Sequence, residues 1–407
     1  MFTREQKFLI ANLALIQFNH IVDFMILMPL GPQLMRLFSI GPSEFGLLVS
    51  SYTFWASISS LAASVFVDRY DRKTTLLTFF AGFTFSTLAC ALSPTYEFLL
   101  IARSIAGFFG GVLTAMVMSI MSDAVPYSKR GTAMGLLTTA FSLASIVGVP
   151  FSLYLANAFS WHAPFVFLGL LCLVNLSMIW WRIPSMKSHL VLQTQVHPLR
   201  PVLDHLTRSQ SLVPLFFSFF LVMGQFTVIP FLSPSLVANA GLSEAQLPLI
   251  YLVGGATSIT TGPFIGYLSD RLGKHRIFWL TNTLCLVPLL LLTHILEPMS
   301  LWVLLPIVAL FFMFIGGRMN PAMALVSGSV EPYRRGSFMS LVSSAQQMAS
   351  AVASFVASRI ITKSATGQLE NFHYVGYIAV LFSLAAFVLS LRMRAVESTT
   401  APEAPPA

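Results

Sequence analysis

Three charged residues stand where a charge is costly. Asp23, Arg103 and Arg318 each fall inside a long apolar run, and of the fifteen acids only Asp23 lies well within one. A carboxylate in a low-dielectric interior holds its proton more tightly, and a nearby guanidinium reverses that shift. Small movements of Asp23 against Arg103 would therefore change the proton affinity of the carboxylate, which is the chemistry of proton coupling. Two other readings of Asp23 stay open: a static ion pair with Arg103, and direct binding of a cationic substrate. His20 is one helical turn from Asp23 on the same face, placed to relay a proton. One His and one Asp do not make a metal site, so no metal is expected. Arg318, within Gly316-Gly317-Arg318-Met319-Asn320-Pro321, is a candidate for binding an anionic or hydroxylated substrate, the alternative being a structural role. Asn320, Gln225 and Gln346 are further polar candidates, and Phe24 and Met28 are candidate cavity-lining side chains.

The elements that must carry these residues follow from composition. Only 9% of the 407 residues are charged and 56% are hydrophobic. A soluble domain carries roughly 25% charged residues to wet its surface, so a soluble enzyme is excluded. Disorder is excluded by the high hydrophobicity. Continuous apolar runs such as Leu212 to Phe220 point to helices and not to a barrel, whose strands alternate at period two. Twelve spans of about 20 residues or more are expected: 8–35, 43–67, 74–92, 97–121, 132–158, 162–182, 211–237, 246–268, 277–296, 301–326, 337–361 and 373–391. At 1.5 Å per residue, Asp23 lies about 24 Å from Lys7, Arg103 about 28 Å from Ser122, and Arg318 about 20 Å from Glu331. All three are thus in the middle or outer-middle layer.

Charge asymmetry sets the orientation. With both termini inside, eighteen of the 23 Lys and Arg fall on the cytoplasmic side, and only Arg36, Arg359 and Lys363 fall outside. This bias predicts cytoplasmic termini and accounts for the net charge of +8 without any nucleic-acid partner. The first apolar run carries Asp23 and no cleavage signature follows it, so it is expected to stay as a helix. Cys90, Cys172 and Cys285 have no paired spacing and are expected to be packing residues. The expected organisation is a six-helix unit over 1–183, a cytoplasmic linker over 184–210 containing His189, His197 and His205, a second six-helix unit over 211–394, and a disordered tail over 395–407.

The two halves repeat each other. Asp68-Arg69 after span 2 matches Asp270-Arg271 after span 8 at an offset of 202 residues. Lys129-Arg130-Gly131 matches Arg334-Arg335-Gly336 at 205, and Pro29 matches Pro230 at 201. Parallel repeats are a transporter architecture, with the substrate site near the midplane between them.

Particular motifs carry a family resemblance. Gly266, Asp270, Arg271, Gly273 and Lys274 match the loop signature Gly-x-x-x-Asp-Arg-x-Gly-Arg-Lys of the major facilitator superfamily. The first half keeps Asp68, Arg69, Arg72 and Lys73, with Ser64 and Asp71 where glycine is usual. Leu99, Arg103 and Gly107 match its helix 4 signature Leu-x-x-x-Arg-x-x-Gln-Gly, with Ala106 in place of the glutamine. Gly148-Val149-Pro150, followed by Trp161-His162-Ala163-Pro164-Phe165, resembles the helix 5 pattern of the twelve-helix drug:proton antiporters in the arabinose-efflux-permease-like branch, with His162 where arginine is usual. The resemblance implies an all-α membrane protein of twelve helices in two pseudo-symmetric six-helix bundles, working as a monomer in the cytoplasmic membrane. It also implies a latch in which Asp68 meets the start of span 11 near Gly336 and Ser337, and Asp270 meets the start of span 5 at Gly131 and Thr132. Arg69, Arg72, Arg271 and Gly273 complete those loops. Such contacts form only when the cytoplasmic side is closed. Gly148 and Pro150 would kink helix 5 where the halves meet, a segment associated in this branch with sealing against leak.

The expected function is proton-coupled export of a small organic molecule by alternating access. An importer or uniporter, or a lipid or lysolipid transporter, are the alternatives, and metal export is a lesser one. An enzyme is not expected: no GxSxG, HExxH or phosphate-cradling loop is present, and no cofactor is implied.

Overall fold

The computed structural model describes residues 2–66, 70–125, 127–186, 205, 207, 209–331 and 335–393. The chain is nearly all helix: α1 Arg4–Ile26, α2 Gly31–Leu37, α3 Pro42–Phe66, α4 Arg72–Ala91, α5 Tyr96–Ala124, α6 Tyr127–Leu143, α7 Val149–Ala158, α8 Ala163–Arg182, α9 Ser209–Phe226, α10 Ile229–Ala238, α11 Leu247–Leu272, α12 Lys274–Thr293, α13 Leu301–Gly317, α14 Met319–Gly328, α15 Arg335–Ile360 and α16 Phe372–Leu391. A two-stranded hairpin pairs Thr362–Lys363 with Leu369–Glu370.

Twelve expected spans map onto these helices, but four of them are broken. The first is split at residues 27–30, because Pro29 has no N–H to donate and its ring crowds the preceding turn. The seventh breaks between Phe226 and Ile229, just before Pro230. The tenth breaks at Arg318. In the fifth, Ala144–Gly148 widens into a π turn ahead of Pro150, a feature common at functional sites. Hydropathy did not reveal the first, seventh and tenth breaks, because it registers apolarity and not hydrogen-bond continuity.

By length and composition, eleven described helices are apolar enough to cross a membrane. The eleventh expected span, 337–361, corresponds to α15, which is long enough at 26 residues but rich in Ser, Ala and Gln. Its polarity reflects its position, packed along α3 between the two halves. The Ser57 hydroxyl donates to the Ser344 carbonyl (2.9 Å), and the Ser344 hydroxyl donates back to the Ser57 carbonyl (3.0 Å). Nearer the other end of the pair, a Cβ on Gly46 would lie 2.0 Å from the Ser358 Cβ. Small side chains let these two backbones approach.

The two halves are joined unequally at their ends. At the end opposite the termini, one apolar core runs through both halves and includes Leu34, Phe45, Val149, Phe231, Leu236 and Tyr251. There the two helix breaks meet: a Cβ on Gly31 would lie 2.7 Å from Phe45 and 2.9 Å from Pro234. Arg36 forms a two-pronged ion pair with Glu244, and the Asn157 amide donates to the Glu244 carbonyl at 3.1 Å. At the end bearing the termini the apolar cores are separate. One contains Leu13, Phe80, Leu113 and Ile179, and the other contains Phe217, Phe278, Val326 and Phe338.

Asp71, which stands where the family has glycine, caps α4 and ties down the segment after α8. Its carboxylate accepts from the Lys73 N–H (3.3 Å), the Thr74 hydroxyl (3.2 Å), the Ser185 hydroxyl (2.9 Å) and the Met186 N–H (2.7 Å). Partial burial alone would raise its pKa, but these bonds, led by Met186, hold it below the ordinary carboxylate value. A depressed folded-state pKa means that the tether is fully present above the unfolded value of about 4 and is lost as pH falls through the lower folded value. Replacing Asp71 by Ala is therefore expected to accelerate hydrogen exchange at the Met186 amide. Exchange there that matches the wild type would contradict the tether.

Candidate functional site

The site is built by α1, α3, α4 and α5. Asp23 on α1 and Arg103 on α5 are fully buried, at 0% and 1% exposure. An Arg103 Nη1 donates to Asp23 Oδ2 at 2.8 Å and to the Asp23 carbonyl at 3.2 Å. Thr87 on α4 donates its hydroxyl to the other carboxylate oxygen at 3.3 Å. Removing one member of a buried pair strands the other charge and costs roughly 3–5 kcal/mol. The glycines of α5 make this proximity possible. A Cβ on Gly107 would lie 2.1 Å from the Tyr52 carbonyl, and one on Gly111 would lie 2.3 Å from the Ala56 carbonyl, so α5 presses directly on α3.

Tyr52, which the sequence did not single out, completes the site. The Arg103 guanidinium carbon lies 4.4 Å from the Tyr52 ring centre, a cation–π contact. The Tyr52 ring lies 5.5 Å from Phe24, and Phe24 lies 5.9 Å from Phe226 of the other half. A chain of contacts thus runs from the ion pair through Tyr52 and Phe24 to the seam. Gly148 also reaches the site, since a Cβ there would lie 2.3 Å from Val22, next to Asp23. Across the seam, Gly255 of α11 lies against the π turn, where a Cβ would come 2.8 Å from the Ser145 carbonyl.

His20 is buried but does not bond Asp23. Its ring faces Phe83 (5.8 Å) and Tyr52 (6.4 Å), and both ring nitrogens lack a hydrogen-bond partner. The Tyr52 hydroxyl, both side-chain polar atoms of Asn19, and Arg103 Nε are also buried without partners.

Arg318 sits apart in the second half at 0% exposure. It donates to Asn282 Oδ1 (2.9 Å), the Ser383 hydroxyl (3.2 Å) and the Leu221 carbonyl (3.4 Å), tying α12, α16 and α9 together. Asn282 and Ser383 were also missed, although a lone amide in the apolar run of α12 is a legible signal. Asn320 is exposed and donates to the Gly262 carbonyl at 3.0 Å. Gln346 approaches the Met323 sulfur at 3.8 Å. Gln225, 202 residues after Asp23, keeps a buried side-chain oxygen without a partner. Phe24 lies at the seam, whereas Met28 is packed in the shared core. Among the described residues no three His, Cys, Asp or Glu side chains gather as a metal-holding group.

The loop residues divide. Asp68 and Arg69 lie outside the described residues, as do His189, His197 and the 395–407 tail. Arg72 Nε bonds Asp123 of the same half at 3.1 Å. Asp270 and Arg271 are exposed, and the Arg271 guanidinium stacks on Tyr267 at 4.6 Å. Gly273 adopts φ +97° between α11 and α12, a conformation that side-chain-bearing residues rarely take. His205 of the linker reaches the Ser337 hydroxyl at 3.1 Å, at the start of α15.

Comparison with known proteins agrees with this architecture. The chain is 27% identical over 376 residues to YceJ, an uncharacterised MFS-type transporter of Bacillus subtilis (strain 168), covering 89% of this chain and 90% of that protein. A probable sugar efflux transporter of Mannheimia succiniciproducens is 24% identical over 223 residues, 54% of this chain and 55% of that protein. Among solved structures, a D-xylose–proton symporter superposes with a TM-score of 0.75 at 17% identity, over 94% of this chain and 96% of the other. A bacterial homologue of the human lysosomal transporter Spinster, in an inward-facing, occupied conformation, gives 0.69 at 12% identity, over 97% and 98%. Family, fold and relatives are those of membrane transporters and not of enzymes. The model of the Major Facilitator Superfamily matches residues 13–354 and 215–407, and the chain belongs to that superfamily.

Proposed function

We propose that this transporter exports a small organic molecule in exchange for protons, with Asp23 as the proton-carrying group. The observation that carries the reading is the Asp23–Arg103 pair, buried and linked by contact to the seam between the halves. Protonating Asp23 would remove the charge that holds Arg103. Arg103 lies on Tyr52, Tyr52 on Phe24, and Phe24 on Phe226, so the loosened guanidinium would disturb the closed seam. The reverse also holds: opening the seam would pull on the pair and change its proton affinity. Each unit of pKa change is worth about 1.4 kcal/mol of bias between the two states.

The geometry supports an inward-facing state. The excess of basic residues at the terminal-bearing end favours that end as cytoplasmic, in a bacterial inner membrane. Among the described residues the exposed Asp270 side chain has no hydrogen bond or ion pair, as expected of a latch released on the open side. The opposite end is held by Arg36, Asn157 and Glu244. Sugar efflux is the substrate class named for some relatives, and Gln225 with its free carbonyl beside Phe226 offers a hydroxylated solute one polar contact within an aromatic wall. On this reading Arg318 is a brace of the second half and not a substrate ligand, and one six-helix unit over 1–183 rocks against another over 211–394 as a monomer.

Two measurements test this reading. In proteoliposomes, Asp23→Asn is expected to abolish the acceleration of solute counterflow by a pH gradient. The double variant Asp23→Asn with Arg103→Gln strands no buried charge and is expected to behave the same way while folding normally; a pH-driven response surviving in it would overturn the coupling role. For the closed end, Glu244→Gln removes a partly exposed ion pair, on the order of 0.2–1 kcal/mol for surface pairs. It should widen spin-label distances across that end in a growing fraction of molecules, shifting the state ratio by about fivefold at most. Unchanged distances would exclude Arg36–Glu244 as a clamp.

A further inference from the structure

The first half contains further buried polar groups, in line along α1 with Asp23. Asn12, Asn19 and Asp23 share one stripe of α1, since residues 4, 7 and 11 apart lie on the same face. All three are buried, as are Asn175 and Cys172 on α8 and Thr84 and Thr87 on α4. They occur at three levels. At the first, the Asn175 amide donates to the Asn12 carbonyl at 3.4 Å. At the second, Cys172 of α8 is fully buried, as is Thr84 of α4, whose hydroxyl donates to the Phe80 carbonyl at 2.7 Å. At the third, Thr87 bonds Asp23. Between Asn12 and Asp23 the rise is about 16 Å.

This column is poorly satisfied by the protein itself. Asn12 Oδ1, Asn175 Oδ1 and both polar atoms of the Asn19 side chain have no hydrogen-bond partner. A buried polar atom left unpaired costs roughly 1–3 kcal/mol. Four such buried atoms, on α1 and on α8 bonded to it through Asn175, are the setting in which internal water is held. An apolar core would have been cheaper, and it is what the neighbouring positions provide, with Leu13, Ile16 and Leu76 fully buried.

We propose that Asn12, Asn175 and Asn19 hold a file of water molecules that delivers protons to Asp23 from the terminal-bearing end, inside the first half and independent of the solute pathway. The proposal rests on the reading of Asp23 as the proton carrier. A proton arriving at the Asn12 level binds a water oxygen, that water releases a different proton to the next, and the last water transfers one to an Asp23 carboxylate oxygen. The amides only orient the waters and gain no proton. The other titratable groups facing Asp23 are Arg103 from α5, Tyr52 from α3, Cys90 from α4, Cys172 from α8, and His20 on its own helix. A separate route lets the proton and the solute move without meeting.

The test uses the full chain in lipid. First, hydroxyl-radical footprinting of the wild type by X-ray water radiolysis reads trapped water. Oxidation is expected at Cys172 despite its complete burial, and not at Met121 or Met28, which are equally buried in apolar cores. An unoxidised Cys172 would overturn the water file whatever the variants do. Second, infrared detection of the Asp23 carboxyl band after a pH jump reads the delivery rate. Asn19→Leu is expected to slow protonation at least about tenfold without moving the titration midpoint, and Asn19→Ser, which keeps a polar group, is expected to retain most of the rate. A shifted midpoint with an unchanged rate would mean a merely structural role. If the carboxyl band does not titrate while Cys172 is still oxidised, the coupling role of Asp23 and the delivery of protons to it both fail, and only the trapped water remains.

Discussion

A carboxylate and a guanidinium held out of water at 2.8 Å constrain the rest of this molecule. Neither charge is stable alone in a low-dielectric interior, so each needs the other together with further hydrogen bonds. That need explains the local architecture: glycines on α5 that let Arg103 reach α1, a threonine on α4 facing the second carboxylate oxygen, and a tyrosine on α3 covering the cation. The pair costs stability if either partner moves away. On the proposed reading, a proton on Asp23 is what would let the pair separate. The same physics that makes the pair expensive makes it sensitive to protonation.

On the proposed reading, the frame would convert that sensitivity into motion. Proline breaks in the first and seventh spans meet at the end opposite the termini, where one apolar core joins the halves. At the other end the cores are separate, so the halves can part there without exposing a shared interior. The long α3–α15 seam is bonded through serines. Small, weakly apolar contacts of that kind permit sliding between two packed arrangements, whereas a fully interlocked apolar interface would fix one. The widened turn at Ala144–Gly148 puts Gly148 against α1 beside Asp23 and Ser145 against Gly255 of the other half, giving the ion pair a second contact with the seam.

Much of this was legible in the sequence. The count of spans followed from apolar runs, the duplication from offsets near 202, and the Asp23–Arg103 pairing from the scarcity of charge in those runs. What escaped had a common cause. Tyr52 is one aromatic among many, and its role depends on which way α3 faces. The helix breaks depend on individual hydrogen bonds that hydropathy does not register. Arg318 was visible as a buried charge, but its bonds to Asn282 and Ser383 come from residues 36 and 65 positions away. The polar composition of α15 is itself a sign of its place between the halves, intelligible once its packing on α3 is known.

The central claim is that a proton on Asp23 and the choice of which end is open are one equilibrium. The most direct measurement is the distance between spin labels placed across the terminal-bearing end, followed as a function of pH without added solute. The account predicts that the open and closed populations of the wild type titrate together with a single-proton dependence, and that Asp23→Asn holds one population at every pH. Wild-type populations indifferent to pH, or an Asp23→Asn variant that titrates as the wild type does, would contradict it.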